Sequence, residues 1–298
     1  MIPLPWTVPG RQRGADVSSA QHPSRALMAS LAAGGCISVD VKGSDWSPSR
    51  QVGYTDQAMT AHLAFARELG LSTGIYGFFH SDQPWQPQAE AFLRAHDAAS
   101  AVMPLTMRPT IDWEDQARIR TDPARALGGV VGWCEFVRAR TGRRPTCYTG
   151  KPQVDILTAA KVDASPLLAY DLWDAHYRWD PLTGHDYGVI APTPIVIGGV
   201  LWPCVAWQCG GNGAPRFAPV DGWVPVDIDL DVYYIATTAD FLAWCADKPT
   251  VEPGLNLGPS GSHSIADEVH ELAADAEARS LMAALDDPDP GPNTKRSP

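Results

Sequence analysis

The amino-acid sequence predicts an α/β protein, an irregular TIM-like (β/α) barrel with a C-terminal helical tail. Three observations favour this fold. Eight short β-type runs recur between residues 14 and 234. Helical patterns separate the earlier runs, as expected for βα units with parallel strands. Residues 181–203 are rich in proline and glycine, and long helical patterns thin out there, which predicts that the last third of the barrel is irregular.

The predicted strands are rich in β-branched and aromatic residues and are bounded by turn residues. They cover residues 14–19, 36–43, 72–80, 108–114, 144–150, 167–177, 204–209 and 227–234. Apolar residues at helical spacing predict helices over 56–69, 86–100, 122–141 and 237–246. Eight strands suit a closed barrel, in which the first and last strands are neighbours.

The composition indicates a folded domain without attraction for polyanions. The chain has 298 residues, 45% of them hydrophobic, and 11 tryptophans, which excludes general disorder. Its formal charge of −11 gives no basic footprint, so we expect neither nucleic acid nor a membrane as a partner. Arginine far outnumbers lysine in this alanine-rich chain, which suggests a GC-rich genome such as that of an actinobacterium or its phage.

Targeting and metal-binding patterns are missing from the sequence. The opening MIPLPWTVPG is too short and too rich in proline for a secretion signal, and no apolar run is long enough to span a membrane. We therefore expect a soluble protein, made in the cytoplasm without a signal peptide. The six cysteines show no zinc spacing, so buried free thiols are expected, with a Cys204–Cys209 disulfide as the alternative.

Composition divides the chain into three segments. Residues 1–247 form the predicted barrel, 248–262 a linker, and 263–298 an acidic helix followed by a disordered tail. The helix has apolar residues at helical spacing with acids opposite. We expect it to lie on the body or on a neighbour, and self-association or virion docking through residues 263–285 are the contacts it suggests.

Two acids, Asp112 and Glu114, stand two residues apart at the end of a predicted strand, so they share one face. Barrel enzymes build their active sites at such strand ends. Burial and a neighbouring carboxylate both raise a carboxyl pKa, so one of the two can stay protonated and act as a general acid. A surface salt bridge with Arg108 or Arg118 is the alternative interpretation.

Further acids stand on the first and last predicted strands. These are Asp16 in GADVSS and Asp227, Asp229 and Asp231 in VDIDLDVY, which lacks the glycine and glutamate of a calcium loop. Because the first and last strands of a barrel are neighbours, Asp16 and one of the last-strand acids should meet near Glu114.

Other polar residues receive structural interpretations. Asp40 and Lys42 share a strand face and are interpreted as an ion pair inside the barrel. His80 and His176 lack a nucleophile partner and are expected to be satisfied polar residues. The sequence contains no HExxH, GxSxG, GxxxxGK[ST] or GxGxxG motif, so the corresponding metal, nucleophile and nucleotide chemistries are not predicted.

Aromatic residues at or near the predicted strand ends are candidates for stacking on sugar rings, with core packing as the alternative. They are Tyr76, Phe78, Tyr148, Trp173, Tyr177 and Trp207.

Taken in order, seven motifs resemble glycoside hydrolase family 25, the N-acetylmuramidases that include many phage and bacterial lysozymes. The motifs are GADVSSAQ, GIYGFF, RPTIDWE, GRRPTCYTG, LWDAHY, AWQCGGNG and IDLDVYY. The resemblance covers roughly residues 14–246 and implies a barrel of the (β/α)5(β)3 type. There are departures, since Gly77 stands where many members have a larger polar residue and Asp40 lies in a strand that is usually more apolar.

The resemblance implies that Glu114 is the general acid/base, with Asp16, Asp112 and Asp229 completing the acidic mouth and Asp227 held in reserve for Asp229. The implied reaction is hydrolysis of the β-1,4 bond between N-acetylmuramic acid and N-acetylglucosamine in peptidoglycan. Assistance by the substrate acetamide is favoured over a carboxylate nucleophile or base. No cofactor or metal is implied.

The resemblance also implies that Gln208 binds substrate together with the six aromatic residues. The implied place of action is the bacterial cell wall, during phage lysis or virion-associated release. Two alternatives stay open: a non-catalytic phage particle or wall-binding protein that keeps the barrel, and a glycosidase for another amino-sugar polymer such as chitin.

Overall fold

The structure, a computed structural model, describes residues 11–177, 194–210 and 228–247, all within the unit Met1–Gly254. The predicted linker (248–262), the predicted acidic helix and tail (263–298) and the reserve residue Asp227 lie outside the described residues.

Eight strands close into a barrel. Strands β1 to β11 span Gln12–Val17, Cys36–Ser47, Val52–Thr55, Ser72–Phe78, Thr110–Asp112, Thr146–Thr149, Asp171–Ala175, Val196–Ile197, Val200–Leu201, Cys204–Gly210 and Asp229–Tyr233. The barrel consists of β1, β2, β4, β5, β6, β7, β10 and β11, and it is closed because β1 pairs with both β2 and β11. Strand β11 runs antiparallel to β1 and β10, whereas the other barrel neighbours are parallel.

Helices cover the outside of the first part of the barrel. Helices α1 to α7 span Arg25–Ala33, Met59–Glu68, Trp85–Val102, Gln116–Thr121, Pro123–Thr141, Lys151–Ala159 and Thr238–Cys245, and a 3-10 helix spans Ser165–Ala169. Five strand–helix units lead from β1 to β7, and among the described residues no α-helix lies between β7, β10 and β11. The predicted (β/α)5(β)3 architecture is confirmed, and the eight predicted strands are the eight barrel strands.

Three of the helices, α1, α4 and α6, were not predicted. Helices α1 and α6 have only nine residues each, and α4 has six. Helix α6 begins directly after a glycine with Lys151-Pro152, a sequence typical of a turn, yet proline is tolerated in the first turn because its missing N–H has no partner there. Helix α1 begins at Ser24, whose hydroxyl accepts a hydrogen bond from the Leu27 amide.

Alternation along the strands separates an apolar outer layer from a polar interior. In β2, Val39 and Val41 are fully buried in the hydrophobic core under the helices, while Asp40 and Lys42 between and after them point inward. The outer core includes Phe92 of α3 and Trp133 of α5, with ring centroids 4.8 Å apart. The polar interior opens at the carboxyl ends of the parallel strands.

The opposite end of the barrel is held by a buried arginine. The Arg108 guanidinium contacts Asp171 at 2.5 Å and Asp247 at 2.8 Å, and its Nε donates to the Trp244 carbonyl of α7. Arg108 is therefore not the salt-bridge partner of Asp112 or Glu114 that the alternative interpretation required.

All six cysteines are free, as predicted, and Cys204 and Cys209 form no disulfide. In the described parts of the chain, no helix combines the length and the apolarity that crossing a membrane requires.

Candidate active site

A cleft with a volume of about 270 Å³ opens at the carboxyl ends of the parallel strands. It is lined by Asp16, Val17, Ser18, Ala20, Gln21, Lys42, Tyr76, Phe78, Thr110, Asp112, Glu114, Tyr148, Trp173, Tyr177, Gln208 and Asp229. Barrel enzymes place their catalytic groups at this end of the barrel.

Three strands bring four acids to the cleft. Asp112 ends β5 and Glu114 follows two residues later, while Asp16 stands near the end of β1. Because β11 is antiparallel, its first residue, Asp229, lies at the mouth, directly opposite Asp16 in the strand pairing. The acids predicted to meet from distant parts of the sequence therefore line one opening.

The surroundings of three of these acids, Asp16, Asp112 and Glu114, favour the protonated forms. Burial, and then the charge of Glu114, raises the pKa of Asp112. Burial likewise raises the pKa of Glu114, against the opposing effect of Lys42. The pKa of Asp16 is raised by burial and by Asp229. The cluster therefore holds protons at a pH where an exposed carboxyl would have lost them.

Lys42 supplies the cation that lines this cleft within the described residues. Its Nζ lies 2.6 Å from Asp45 Oδ2 and 4.9 Å from the centre of the Phe78 ring. The interpretation of Asp40 and Lys42 as an ion pair is therefore wrong. Asp40 lies deeper, accepts a hydrogen bond from the Thr110 hydroxyl at 3.0 Å, and has its pKa raised by burial to about 7.

A chain of hydrogen bonds orients Asp16. The Tyr148 hydroxyl donates to Gln208 Oε1 at 2.6 Å, and Gln208 Nε2 donates to Asp16 Oδ2 at 2.6 Å. The Tyr177 hydroxyl lies 3.4 Å from that of Tyr148. Gln208 thus reaches the cleft, as the resemblance implied, and its amide lowers the pKa of Asp16 against the larger effect of burial.

Five of the six candidate aromatic residues line the cleft: Tyr76, Phe78, Tyr148, Trp173 and Tyr177. Trp207 does not, which corrects its assignment as a substrate-binding residue. Gln208 points into the barrel, so its neighbour Trp207 points outward, where it is fully buried in the core and donates its indole N–H to the His176 carbonyl.

The ring of His80 is satisfied on both sides, which confirms its structural interpretation. Its Nε2 lies 2.8 Å from Asp45 Oδ1, and its Nδ1 accepts from Arg118. Arg118 also contacts Asp115 and Asp82 rather than the catalytic candidates.

Sequence reasoning missed Lys42, Thr110 and Gln21 as cleft residues. Thr110 could have been predicted as a cleft residue from strand alternation, because it stands two residues before Asp112 and therefore on the same strand face. Gln21 ends the GADVSSAQ motif, but strand alternation does not place it, because it lies in the loop after β1 and its position depends on a hydrogen bond from the Ser18 amide to its side chain.

His62 of α2 contacts the backbone of the loop after β1. Its Nε2 lies 3.1 Å from the carbonyl oxygens of both Ser18 and Gln21, and the side chain is fully buried. Burial lowers the pKa of His62, which favours the neutral ring. Ser18 and Gln21 are therefore fixed at the rim of the cleft. Among the described residues, no group of three or more His, Cys, Asp or Glu side chains is arranged to hold a metal ion.

The fold is similar to that of solved carbohydrate-cleaving enzymes. A family 25 glycosyl hydrolase from Bacillus anthracis matches with a TM-score of 0.56 and 19% identity, over 78% of this chain and 93% of that chain. The bacterial lysozyme from Streptomyces coelicolor matches with a TM-score of 0.55 and 19% identity, over 78% and 96%. The catalytic domain of an endolysin from bacteriophage P40 of Listeria monocytogenes matches with a TM-score of 0.54 and 15% identity, over 78% and 96%.

The match of residues 46–192 to a glycosyl hydrolase family model, together with the similar solved structures, identifies the protein as a glycoside hydrolase. No curated protein sequence matches the chain. Residues 46–192, which include Asp112 and Glu114, match the model of glycosyl hydrolases family 25.

Proposed function

We propose that the protein hydrolyses peptidoglycan at the β-1,4 bond between N-acetylmuramic acid and N-acetylglucosamine, acting on the bacterial cell wall during phage lysis or virion-associated release. The observation that carries the proposal is the convergence of Asp16, Asp112, Glu114 and Asp229 on one cleft. The similar structures add support, since they are described as a lysozyme, an endolysin and a spore cortex lytic enzyme.

Glu114 is the proposed general acid. Its raised pKa favours the protonated carboxyl, which can donate to the glycosidic oxygen as the bond to the leaving sugar breaks. The resulting carboxylate then accepts a proton from the attacking water. Lys42 stabilises that carboxylate, which allows the same residue to serve in both steps.

The second group in the reaction is the substrate's own acetamide. Muramic acid carries a 2-acetamido group, whose oxygen can attack the anomeric carbon and form an oxazolinium ion. Asp112 or Asp229, both at the cleft, would orient the acetamide N–H and stabilise the positive charge. Water then opens the oxazolinium, and the configuration at the anomeric carbon is retained.

The aromatic lining fits a saccharide. Tyr76, Phe78, Tyr148, Trp173 and Tyr177 offer ring faces and edges to the apolar faces of sugar rings. The Tyr148–Gln208–Asp16 hydrogen bonds fix the polar side of the cleft before substrate arrives.

Clearing of purified cell walls by wild type, Glu114→Gln and Glu90→Gln tests the proposal. Glu90 is an exposed acid on α3, so its variant controls for the chemical change alone. We expect Glu90→Gln to clear walls like wild type and Glu114→Gln to be slower by a factor of about 10²–10⁴, the usual contribution of a general acid.

The other outcomes of the clearing assay contradict either the role of Glu114 or the proposed function. Equal clearing by Glu114→Gln contradicts its role as the acid. Binding to walls without clearing by wild type indicates a non-catalytic wall-binding protein. Hydrolysis of chitin but not of walls indicates a glycosidase for another amino-sugar polymer.

A further inference from the structure

Strands β2 and β3 form a hairpin that continues beyond the cleft. Strand β2 passes Lys42 at the cleft and runs on to Ser47, and β3 returns antiparallel to it. Asp45 pairs with Tyr54, and Ser47 pairs with Val52. Paired residues of antiparallel strands point to the same side of the sheet, so these four side chains share one face of the hairpin.

The opposite face of the hairpin is fixed on helix α3. Trp46 on this face is buried, and its partner Gly53 lies so close to α3 that a Cβ atom on it would approach the Cβ of Ala91 to 2.3 Å. Only glycine permits this approach. The hairpin is therefore held rigidly, with the face that carries Tyr54 turned away from the helix.

The Tyr54 face is continuous with the cleft. Asp45 contacts Lys42 at 2.6 Å and His80 at 2.8 Å, and Lys42 lies over the ring of Phe78, which lines the cleft. Partial burial and the charge of Asp45 raise the pKa of Tyr54, in keeping with their proximity. A surface thus leads from Phe78 through Asp45 to Tyr54.

The outer end of this surface is apolar and exposed. Tyr54 is 47% exposed and Val52 is 45% exposed, among the large hydrophobic side chains that the described residues present to solvent. A tyrosine held in this way suits a sugar ring, because its exposed ring face is apolar while its hydroxyl is hydrogen-bonded to Asp45. Little conformational entropy is lost when ligand binds to such a side chain.

We infer that Tyr54, with Val52 beside it, forms a distal subsite for the glycan strand whose scissile bond lies in the cleft. This inference rests on the proposed function. A linear polymer that leaves the cleft past Phe78 meets this face next, and stacking of a sugar on Tyr54 adds binding energy far from the reacting bond. The hairpin therefore favours long glycan strands over short saccharides.

Steady-state kinetics on two substrates tests the subsite. One is a tetrasaccharide of alternating N-acetylglucosamine and N-acetylmuramic acid, and the other is long glycan strands freed of stem peptides. We expect Tyr54→Ala to raise KM for long strands by about tenfold with kcat unchanged, the effect of losing one aromatic contact that binds ground state and transition state equally. Kinetics on the tetrasaccharide should equal those of wild type.

Two further variants control the comparison. Tyr54→Phe keeps the ring and should keep the KM of wild type. Leu242→Ala removes an exposed apolar side chain from α7, whose Trp244 contacts Arg108 at the far end of the barrel. This variant should have the kinetic constants of wild type on both substrates.

The subsite is contradicted if Tyr54→Ala leaves KM for long strands unchanged, lowers activity equally on both substrates, or acts only when stem peptides are present. Failure of wild type to cleave either substrate refutes the proposed function instead. Affinity of wild type and Tyr54→Ala for uncleaved long strands then decides the subsite: weaker binding by the variant supports it, and equal binding overturns it.

Discussion

At the scale of single residues, the position of Lys42 governs the charge state of the cleft. It faces Glu114 and Asp112 and opposes the rise in the pKa of both carboxyls. Asp45 keeps it there. Burial raises the pKa of Asp45, but hydrogen bonds from His80, Lys42 and the Trp46 amide, together with the charge of Lys42, lower it to about 2. A permanent carboxylate therefore anchors the cation beside groups that gain and lose protons.

Replacing Lys42 by methionine should shift the pH profile of kcat/KM. Without the cation, the carboxylate forms of Glu114 and Asp112 lose a stabilising charge, so both pKa values rise further. Both limbs of a bell-shaped profile should therefore move to higher pH, whatever happens to the maximum rate.

Lys151→Met is the matched control for this shift. Lys151 is half exposed and paired with Asp155 on α6, so its loss should leave the limbs in place. An unchanged profile in Lys42→Met would show that the cation does not act on these acids.

The wrongly assigned ion pair of Asp40 and Lys42 shows a limit of strand alternation. Alternation says which face a side chain takes, and it placed Asp112 and Glu114 in the cleft. It does not say which neighbour a side chain contacts. Lys42 pairs with Asp45 rather than Asp40 because the two share the mouth of the barrel, whereas Asp40 lies deeper beside Thr110.

At the scale of secondary-structure elements, helix α7 and strand β5 are joined by Arg108. The guanidinium lies over the Trp244 ring at 4.7 Å and contacts two carboxylates. Asp171, one of these, also accepts hydrogen bonds from Arg144 and the Trp244 indole. The last helix is thereby fixed to the end of the barrel opposite the cleft.

Arg108→Met should lower the free energy of unfolding by about 3–5 kcal/mol, because it leaves the buried carboxylate of Asp171 without its principal cation. Denaturant unfolding measures this. Arg25→Met is the control, since Arg25 and Glu68 form an exposed pair 3.3 Å apart whose loss should cost about 1 kcal/mol or less. A similar decrease in the free energy of unfolding for both variants would contradict the role assigned to Arg108.

The elements missed by sequence reasoning were short. Long helices such as α3 and α5 show clear periodicity, whereas α1, α4 and α6 offer too few turns for a pattern to emerge. The β2–β3 hairpin was missed because Gly53 interrupts a short strand, and the reason for that glycine is a contact with α3 that is distant in sequence.

At the scale of the whole molecule, the barrel was predictable because its eight strands and the helices between them follow a regular order. The irregular last third was also predictable from its proline and glycine content. The direction of β11 was not. That reversal places the first residue of the strand, Asp229, at the mouth beside Asp16.

In the proposed mechanism, acids from distant strands enclose one scissile bond, with Glu114 as the proton donor. The most direct measurement is a crystal structure of Glu114→Gln with a tetrasaccharide of alternating N-acetylglucosamine and N-acetylmuramic acid. We predict the scissile glycosidic oxygen within about 2.6–3.2 Å of the amide at position 114, with the muramic acetamide beside Asp112 or Asp229. A saccharide whose scissile glycosidic oxygen lies beyond hydrogen-bond distance of position 114 would contradict the role of Glu114 as proton donor.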